Sequence, residues 1–118
     1  MSELPDLDES VLERLRKIGG DEFPGELIGL FLEHAPKKID EALAGEQNGD
    51  LEAVERAVHA LKSSAGNIGA NALMELAGQI EQLAEEQKGA SIPPLLRELE
   101  EAFSRLRSRL EMISKGGE

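Results

Sequence analysis

The sequence has no cysteine, no tryptophan and no tyrosine among its 118 residues, and it has only three phenylalanines. Without cysteine the chain can form no disulfide, no thiol nucleophile and no cysteine zinc site. Two histidines, His34 and His59, are too few for a three-histidine metal centre, and we predict no metal site. The scarcity of aromatic rings also removes the stacking surfaces on which single-stranded nucleic acids bind.

Basic residues are few as well: 13 Lys and Arg against 24 Asp and Glu give a net charge of −11 at pH 7. Nucleic acids and anionic membranes present phosphates that need cations opposite them, so this charge argues against both as partners. No apolar run approaches the roughly 20 residues that span a bilayer. The chain starts with acidic residues where a signal peptide is basic and then apolar, so we expect a cytoplasmic location.

Helix-forming residues dominate what remains, and their spacing predicts five helices. A short first helix runs from an N-cap at about Asp8 to the glycines at 19–20. A second helix begins near Asp21 and stops around residues 45–49. Pro36 lies inside it and predicts a kink or, at worst, two shorter helices, because proline removes a backbone hydrogen bond and crowds the preceding turn.

The last three predicted helices follow without a linker. Asp50 caps the third helix, whose apolar residues recur at spacings of three and four. The chain turns around residues 66–69, a fourth helix ends near Lys88, and Ser91 caps a fifth. Four amphipathic helices joined by short connections predict an all-α, antiparallel up-down-up-down four-helix bundle with a short additional N-terminal helix. We expect one domain over residues 1–118, with ends that fray at about 1–6 and 114–118.

His59 lies outside the apolar stripe of the third helix. At about 100° per residue, a core centred on Val58 and Leu61 places His59 on the solvent side. An exposed imidazole keeps a substantial neutral fraction at neutral pH, so one ring nitrogen offers a lone pair to an electrophile such as phosphorus. Lys62, one turn later, and Arg56, one turn earlier, would offset the charge of a phosphoryl group on that ring.

The stretch Val58–Ala70, VHALKSSAGNIGA, resembles the signature of histidine phosphotransfer (HPt) domains, His-x-Leu-Lys-Gly-Ser-Ser/Ala-x-x-Leu/Ile-Gly-Ala. The histidine, leucine, lysine, second small residue, isoleucine and Gly-Ala pair match in register. Ser63 stands where the family most often has glycine. The run at 31–36 and the turn at 49–50 also match, so the resemblance covers most of residues 20–110.

This resemblance implies a phosphorelay intermediate of two-component signal transduction. His59 would accept a phosphoryl group from the aspartate of a response-regulator receiver domain and pass it to another receiver, and Lys62 would stabilise the phosphate. The family implies a phosphocarrier with no kinase activity and no cofactor of its own, the partner receiver supplying Mg²⁺. We expect receiver domains, and also a hybrid sensor kinase, as partners of a monomeric protein.

The group that orients the imidazole is left open by the sequence. The candidates are Glu55, one turn before His59, and Gln79 or Gln82, reaching from the antiparallel fourth helix. The docking surface would include Arg56 and two small residues that leave room for a partner, Ser63 and Gly66. Few apolar residues lie near His59 on the exposed side, and we expect Leu12 or Leu15 of the first helix to complete an apolar patch.

Three other functions fit parts of this pattern. A helical-bundle adaptor without phosphotransfer is the main alternative, although the third helix has only one apolar stripe. The dimerisation module of a sensor kinase usually follows its histidine with an acidic residue, whereas Ala60 and Leu61 follow His59. A bundle enzyme with an iron or manganese carboxylate centre needs a glutamate three positions before a histidine, and residues 31 and 56 are Phe and Arg.

Overall fold

Four long helices form the body of the protein. The computed structural model describes residues 5–116, in which the helices are α1 (Glu9–Gly19), α2 (Phe23–Gln47), α3 (Leu51–Asn67), α4 (Asn71–Glu85) and α5 (Ile92–Gly116), and no strand occurs in that range. Both α2 and α4 pack against α3 and α5, while α1 packs against α2. The predicted four-helix bundle with an additional N-terminal helix is confirmed. None of the helices in this range has the length and apolarity needed to cross a bilayer.

The helix that carries His59 is held firmly from one side. Its apolar residues Val54, Val58, Leu61 and Ala65 are each at most 1% exposed, and burial of a side chain of the Val or Leu type contributes about 1.5–3 kcal/mol. The carboxylate of Asp50 accepts a hydrogen bond from the backbone N–H of Ala53 at 3.1 Å, which confirms the predicted N-cap. One face of α3 is therefore fixed in the core and the other is left to solvent.

α2 continues through its internal proline. The helix runs from Phe23 to Gln47 with Pro36 inside it, so the two shorter helices considered from the sequence do not form. Ala35 and Ile39, on either side of the proline, are buried at 1% and 5% exposure. Packing of this face in the core holds the helix together where the proline removes a backbone hydrogen bond.

The helices differ in length, so α2 and α5 extend beyond α3 and α4. α2 and α5 have 25 residues each, α3 has 17 and α4 has 15, so α2 and α5 project by roughly 12–15 Å at 1.5 Å per residue. α1 packs over this projection, because Leu12 lines a cleft together with Pro24 and Ile28 of α2 and Ile113 of α5.

The segment before α1 is attached to the bundle. The backbone N–H of Ala72 donates to the carbonyl of Pro5 at 3.1 Å, and Arg105 of α5 contacts the carboxylate of Asp6 at 3.1 Å. The inner part of the end that we expected to fray is therefore held, and the rest of that segment lies outside the described residues. At the other end, α5 remains helical to Gly116, and the two residues beyond it lie outside the described range.

The turn between α3 and α4 requires a glycine. Gly69 has φ of 81°, and a Cβ on it would lie 2.7 Å from the carbonyl oxygen of Asp8 and 2.9 Å from the Cβ of Val11. Its carbonyl accepts the backbone N–H of Asp8 at 2.8 Å. Gly69, which belongs to the Val58–Ala70 stretch, therefore joins α1 to the bundle.

The end of α4 lies earlier than the sequence predicted. The helix stops at Glu85 rather than near Lys88, and Gln87 adopts a positive φ of 62°. The backbone N–H of Lys88 donates to the carbonyl of Leu83 at 2.9 Å, which closes the helix with a left-handed C-terminal turn. Ser91, the predicted cap of α5, is the last residue of a short 3-10 turn, Gly89–Ser91.

Candidate functional site

His59 lies in the middle of α3 with its ring in solvent. Its side chain is 62% exposed, whereas its neighbour Val58 is fully buried. The Nδ1 atom lies 2.6 Å from Oε2 of Glu81 on α4, within hydrogen-bond distance. The Nε2 atom has no hydrogen-bond partner among the described residues. One ring nitrogen is thus held by the protein, and the other is presented outward.

Glu81 holds two side chains of α3 at once. Its second carboxylate oxygen, Oε1, lies 2.6 Å from Nζ of Lys62, whose side chain is 37% exposed, while that of Glu81 is 12% exposed. A single, largely buried carboxylate on α4 therefore bridges the imidazole and the ammonium group. The contact fixes the two residues relative to each other across the α3–α4 interface.

The charge of Glu81 decides which tautomer His59 adopts. Burial by itself would raise the pKa of Glu81, but the hydrogen bonds from Lys62 and His59, together with their charges, lower it below the ordinary glutamate value. Glu81 is thus an anion at neutral pH and can only accept a hydrogen bond. In the neutral ring the proton is then on Nδ1 of His59, which leaves the lone pair on the outward-facing Nε2.

Glu55 does not orient the ring. Oxygen atoms of Glu55, Glu81 and Glu85 lie within 4.8 Å of one another. A hydrogen bond with Glu85, together with desolvation and the negative charges of the neighbouring glutamates, raises the pKa of Glu55 above its ordinary value. Glu55 is therefore hydrogen-bonded to Glu85, and the carboxylate within hydrogen-bond distance of the imidazole is that of Glu81.

The prediction that Gln79 or Gln82 orients the imidazole is also wrong, because Glu81 makes that contact. Gln79 and Gln82 are exposed on α4, and the amide of Gln82 donates to the carboxylate of Glu86 at 3.1 Å. At about 100° per residue, Gln82 lies roughly 100° around α4 from Glu81. Both glutamines therefore project away from the α3–α4 interface, and any role in binding a partner stays a prediction.

The other predicted residues surround His59 without touching its ring. Arg56 is exposed, and its guanidinium lies 3.7 Å from the carboxylate of Glu52, with which it is paired. Ser63 is exposed on α3. Gly66 is half-buried, and a Cβ on it would lie 3.0 Å from Sδ of Met74 on α4. The missing side chain at Gly66 thus makes room for α4, and its role in binding a partner stays a prediction.

Glu81 is the residue that the sequence analysis missed, although a signal for it exists. It lies four positions after Ala77 and three before Ala84, which are both buried, and therefore falls at the edge of the apolar stripe of α4. A carboxylate at such a position is partly buried and needs a partner. The antiparallel packing of α3 and α4 supplies that partner in His59 and Lys62.

The site opens into a shallow cleft between α3 and α4. Its lining consists of the phosphoacceptor candidate and mostly acidic neighbours, namely Glu52, Glu55, Arg56, His59, Glu81 and Glu85. An exposed nucleophile beside such an open cleft is accessible to a large electrophile carried by a second protein. No enclosed pocket for a small-molecule substrate surrounds His59 in the described part of the chain.

Comparison with known proteins decides the family. The model of the Hpt domain family matches residues 26–109, which include α3 and α4 entirely. The chain belongs to the Hpt domain family. The predicted histidine phosphotransfer role in two-component signalling is therefore confirmed, together with the resemblance on which it was based.

Similar proteins include two of known structure. HptB, a histidine-containing phosphotransfer protein from Pseudomonas aeruginosa PAO1, superposes with a TM-score of 0.89 at 26% identity, covering 96% of this chain and 97% of that one. ZmHP2 from maize gives 0.84 at 26% identity, covering 93% and 83%. Sensor protein TorS of Escherichia coli (strain K12) is 36% identical over 76 residues, 64% of this Hpt chain and 8% of TorS. The chain thus spans under a tenth of that relative.

Proposed function

We propose that His59 is the phosphoacceptor of this Hpt domain and that Nε2 is the atom that carries the phosphoryl group. The observation that supports this proposal is the contact between Nδ1 and the carboxylate of Glu81 at 2.6 Å. This contact favours a neutral ring that carries its proton on the inward nitrogen and its lone pair on the outward nitrogen. The nucleophile is thereby prepared before a partner arrives, so little reorganisation is needed at the moment of transfer.

No proton has to leave the ring during phosphoryl transfer. The Nε2 lone pair forms a bond to phosphorus of the receiver's aspartyl phosphate. The phosphorus–oxygen bond breaks, and its electron pair returns to the aspartate as a carboxylate. Because Nδ1 keeps its proton, the phosphorylated ring carries positive charge, which the anionic carboxylate of Glu81 stabilises. Transfer to a second receiver reverses these changes: the bond between Nε2 and phosphorus breaks, and a bond from phosphorus to that receiver's aspartate forms.

Lys62 is proposed to stabilise the phosphoryl group. Its ammonium group is held by Glu81, the residue that also holds His59, so it lies next to the ring and only part of it is in solvent. A cation at that place offsets the charge of a phosphoryl group on Nε2. The lysine would exchange part of its contact with Glu81 for a contact with the phosphate.

The partner is proposed to supply everything else that the reaction needs. We infer that this chain has no kinase activity of its own and that a receiver domain brings Mg²⁺ and the acidic pocket. Receivers of response regulators, and a hybrid sensor kinase that carries such a receiver, are the proposed donors and acceptors. The monomeric state and the cytoplasmic location stay predictions.

The docking face around His59 is polar. Within residues 5–114, the large hydrophobic side chains that are exposed are Ile18, Leu30 and Met112, and none of them belongs to α3 or α4. Leu12, one of the two residues expected to complete an apolar patch, is buried in the core, and that expectation is wrong for it. We therefore expect docking that weakens with added salt.

Phosphotransfer from a panel of phosphorylated receivers in the presence of Mg²⁺ tests the proposal. We expect an acid-labile, base-stable label on the wild-type protein and none on His59→Gln. His34→Gln is the matched control, because His34 is the other histidine and is similarly exposed on α2. A label that persists on His59→Gln but is lost from His34→Gln would show that His34, and not His59, accepts the phosphoryl group. No transfer from any receiver would favour the adaptor alternative.

A further inference from the structure

Lys62 reaches Glu81 by crossing a bare position on α4. A Cβ on Gly78 would lie 3.4 Å from Cδ of Lys62, and among the described residues outside α4 no other atom comes within 4 Å of it. The ammonium group of Lys62 then lies 2.6 Å from Oε1 of Glu81. The aliphatic part of the lysine side chain therefore lies against the backbone of α4 at the residue that lacks a side chain.

Backbone conformation does not require a glycine here. Gly78 lies within α4, Asn71–Glu85, and is not among the glycines with positive φ. A glycine inside a helix is less stable than alanine by about 0.5–1 kcal/mol. A methyl group would fit at ordinary contact distance from Lys62, whereas a longer side chain would occupy the path of the lysine. Glycine at position 78 thus leaves open space for the side chain of Lys62.

We propose that Gly78 is a positioning residue for Lys62. The open space at Gly78 lets the lysine side chain lie flat across the α3–α4 interface, which places its ammonium group on Glu81 and beside the ring of His59. A large side chain at position 78 would push Lys62 into solvent and separate it from the phosphoryl group. The inference rests on the proposed function, because it assigns a reason for the location of the phosphate-stabilising cation.

Two substitutions of Gly78 separate this role from a structural one. Gly78→Ala and Gly78→Leu both introduce good helix formers, so both are expected to fold. We expect Gly78→Ala to keep the phosphohistidine lifetime of the wild type. We expect Gly78→Leu to shorten it about two- to fivefold, the change expected when a partly exposed charge pair is lost, and thus to match Lys62→Ala.

The double variant tests whether Gly78 acts through Lys62. Gly78→Leu combined with Lys62→Ala should have the lifetime of Lys62→Ala alone, because the glycine acts only through the lysine. Each protein is labelled either by a receiver or chemically with phosphoramidate, so that the lifetime is measured even if no receiver in the panel transfers. A wild-type lifetime in Gly78→Leu, or additive losses in the double variant, would overturn the proposal.

Lysine reactivity gives a readout that does not depend on phosphotransfer. Acetylation by a limiting reagent, followed by mass spectrometry, should modify Lys62 more slowly than the exposed Lys37 in the wild type. In Gly78→Leu the reactivity of Lys62 should rise to that of Lys37. Unchanged protection of Lys62 contradicts the role of Gly78. Failure of His59 to accept phosphate from any receiver, with protection lost as expected, contradicts only the proposed function.

Discussion

The bridge that Glu81 forms between His59 and Lys62 predicts a graded loss of phosphotransfer when Glu81 is replaced. Glu81→Ala removes the acceptor for both side chains. Glu81→Gln keeps an amide oxygen that can accept the Nδ1 proton, but it loses the negative charge that holds the lysine and stabilises the phosphorylated ring. The glutamine variant should therefore lie between the wild type and the alanine variant.

The size of the effect follows from the exposure of the two partners. A hydrogen bond to a charged group contributes about 1.5–3 kcal/mol. The side chains of His59 and Lys62 are 62% and 37% exposed, so water replaces part of the lost contacts, and we take about 1–2 kcal/mol. At about 1.4 kcal/mol for each factor of ten, Glu81→Ala should slow transfer roughly 5–30-fold.

Single-turnover transfer from one phosphorylated receiver measures this rate directly, and Glu75→Gln is the control because Glu75 is an exposed glutamate of the same helix. Nitrogen-15 NMR of the ring reports the tautomer, which should carry its proton on Nδ1 in the wild type and become a mixture in Glu81→Ala. A wild-type rate in Glu81→Ala would refute the reasoning, as would a wild-type ring protonated on Nε2.

The same residue predicts a dependence of stability on pH. The hydrogen bonds from Lys62 and His59 outweigh the effect of burial and hold the pKa of Glu81 below its ordinary value of 4.5. A lowered pKa in the folded state stabilises the fold above the unfolded value, and this stabilisation is lost as pH falls through the folded value. In urea titrations, the wild type should exceed Glu81→Gln in unfolding free energy at neutral pH, and the gap should close below 4.5.

Three further substitutions test features that surround the site. Gly69→Ala should lower the unfolding free energy by more than about 1 kcal/mol, because φ is 81° and the new Cβ would lie 2.7 Å from the carbonyl of Asp8; an unchanged urea midpoint would contradict this. Gln87→Gly should raise the unfolding free energy by up to about 1 kcal/mol, since φ at Gln87 is 62°. A lower unfolding temperature in the glycine variant would show that the turn is not strained. The pKa of Glu55 is raised by its hydrogen bond with Glu85, so its stabilising effect is present at acid pH and is lost as pH rises through the folded value; Glu55→Gln should therefore be more stable than the wild type at neutral pH but not in acid, as urea titrations at both pH values would reveal.

The parts of this protein that the sequence predicted well are those set by one helix at a time. The three-and-four spacing of α3 predicted both its buried face and the exposure of His59, and Val54, Val58 and Leu61 are indeed buried. The cap at Asp50 depends on residues three positions apart in the chain. The spacing of residues within one helix determines its buried face and its cap, so both can be predicted without knowing how the helices pack.

The residue that holds the imidazole could not be chosen from one helix. Glu81, Gln79 and Gln82 all lie on the part of α4 that passes His59, and the choice among them depends on how α4 is rotated against α3. That rotation is set by burial of the small residues Ala77 and Ala84, which direct position 81 toward α3.

Net charge poses a physical question for a phosphate carrier. The protein has a charge of −11, and a phosphoryl group adds further negative charge to it. Screening confines such effects to about 8–10 Å at physiological ionic strength, so the charges beside His59 matter more than the total. There the negative charge of Glu81 is countered by Lys62 at 2.6 Å, and that carboxylate faces the ring rather than the incoming phosphate.

Glu52, another carboxylate beside His59, is also paired with a cation. Glu52 lies 3.7 Å from the guanidinium of Arg56, which offsets part of its charge, and the hydrogen bond with Glu85 raises the pKa of Glu55. The field at Nε2 is therefore less negative than the composition suggests. Lys62 and Arg56 are the cations that bring this about on α3, so removing either should slow transfer more at low salt than at high salt. Equal losses at both salt concentrations would mean that contact with the phosphate, and not the local field, explains their effect.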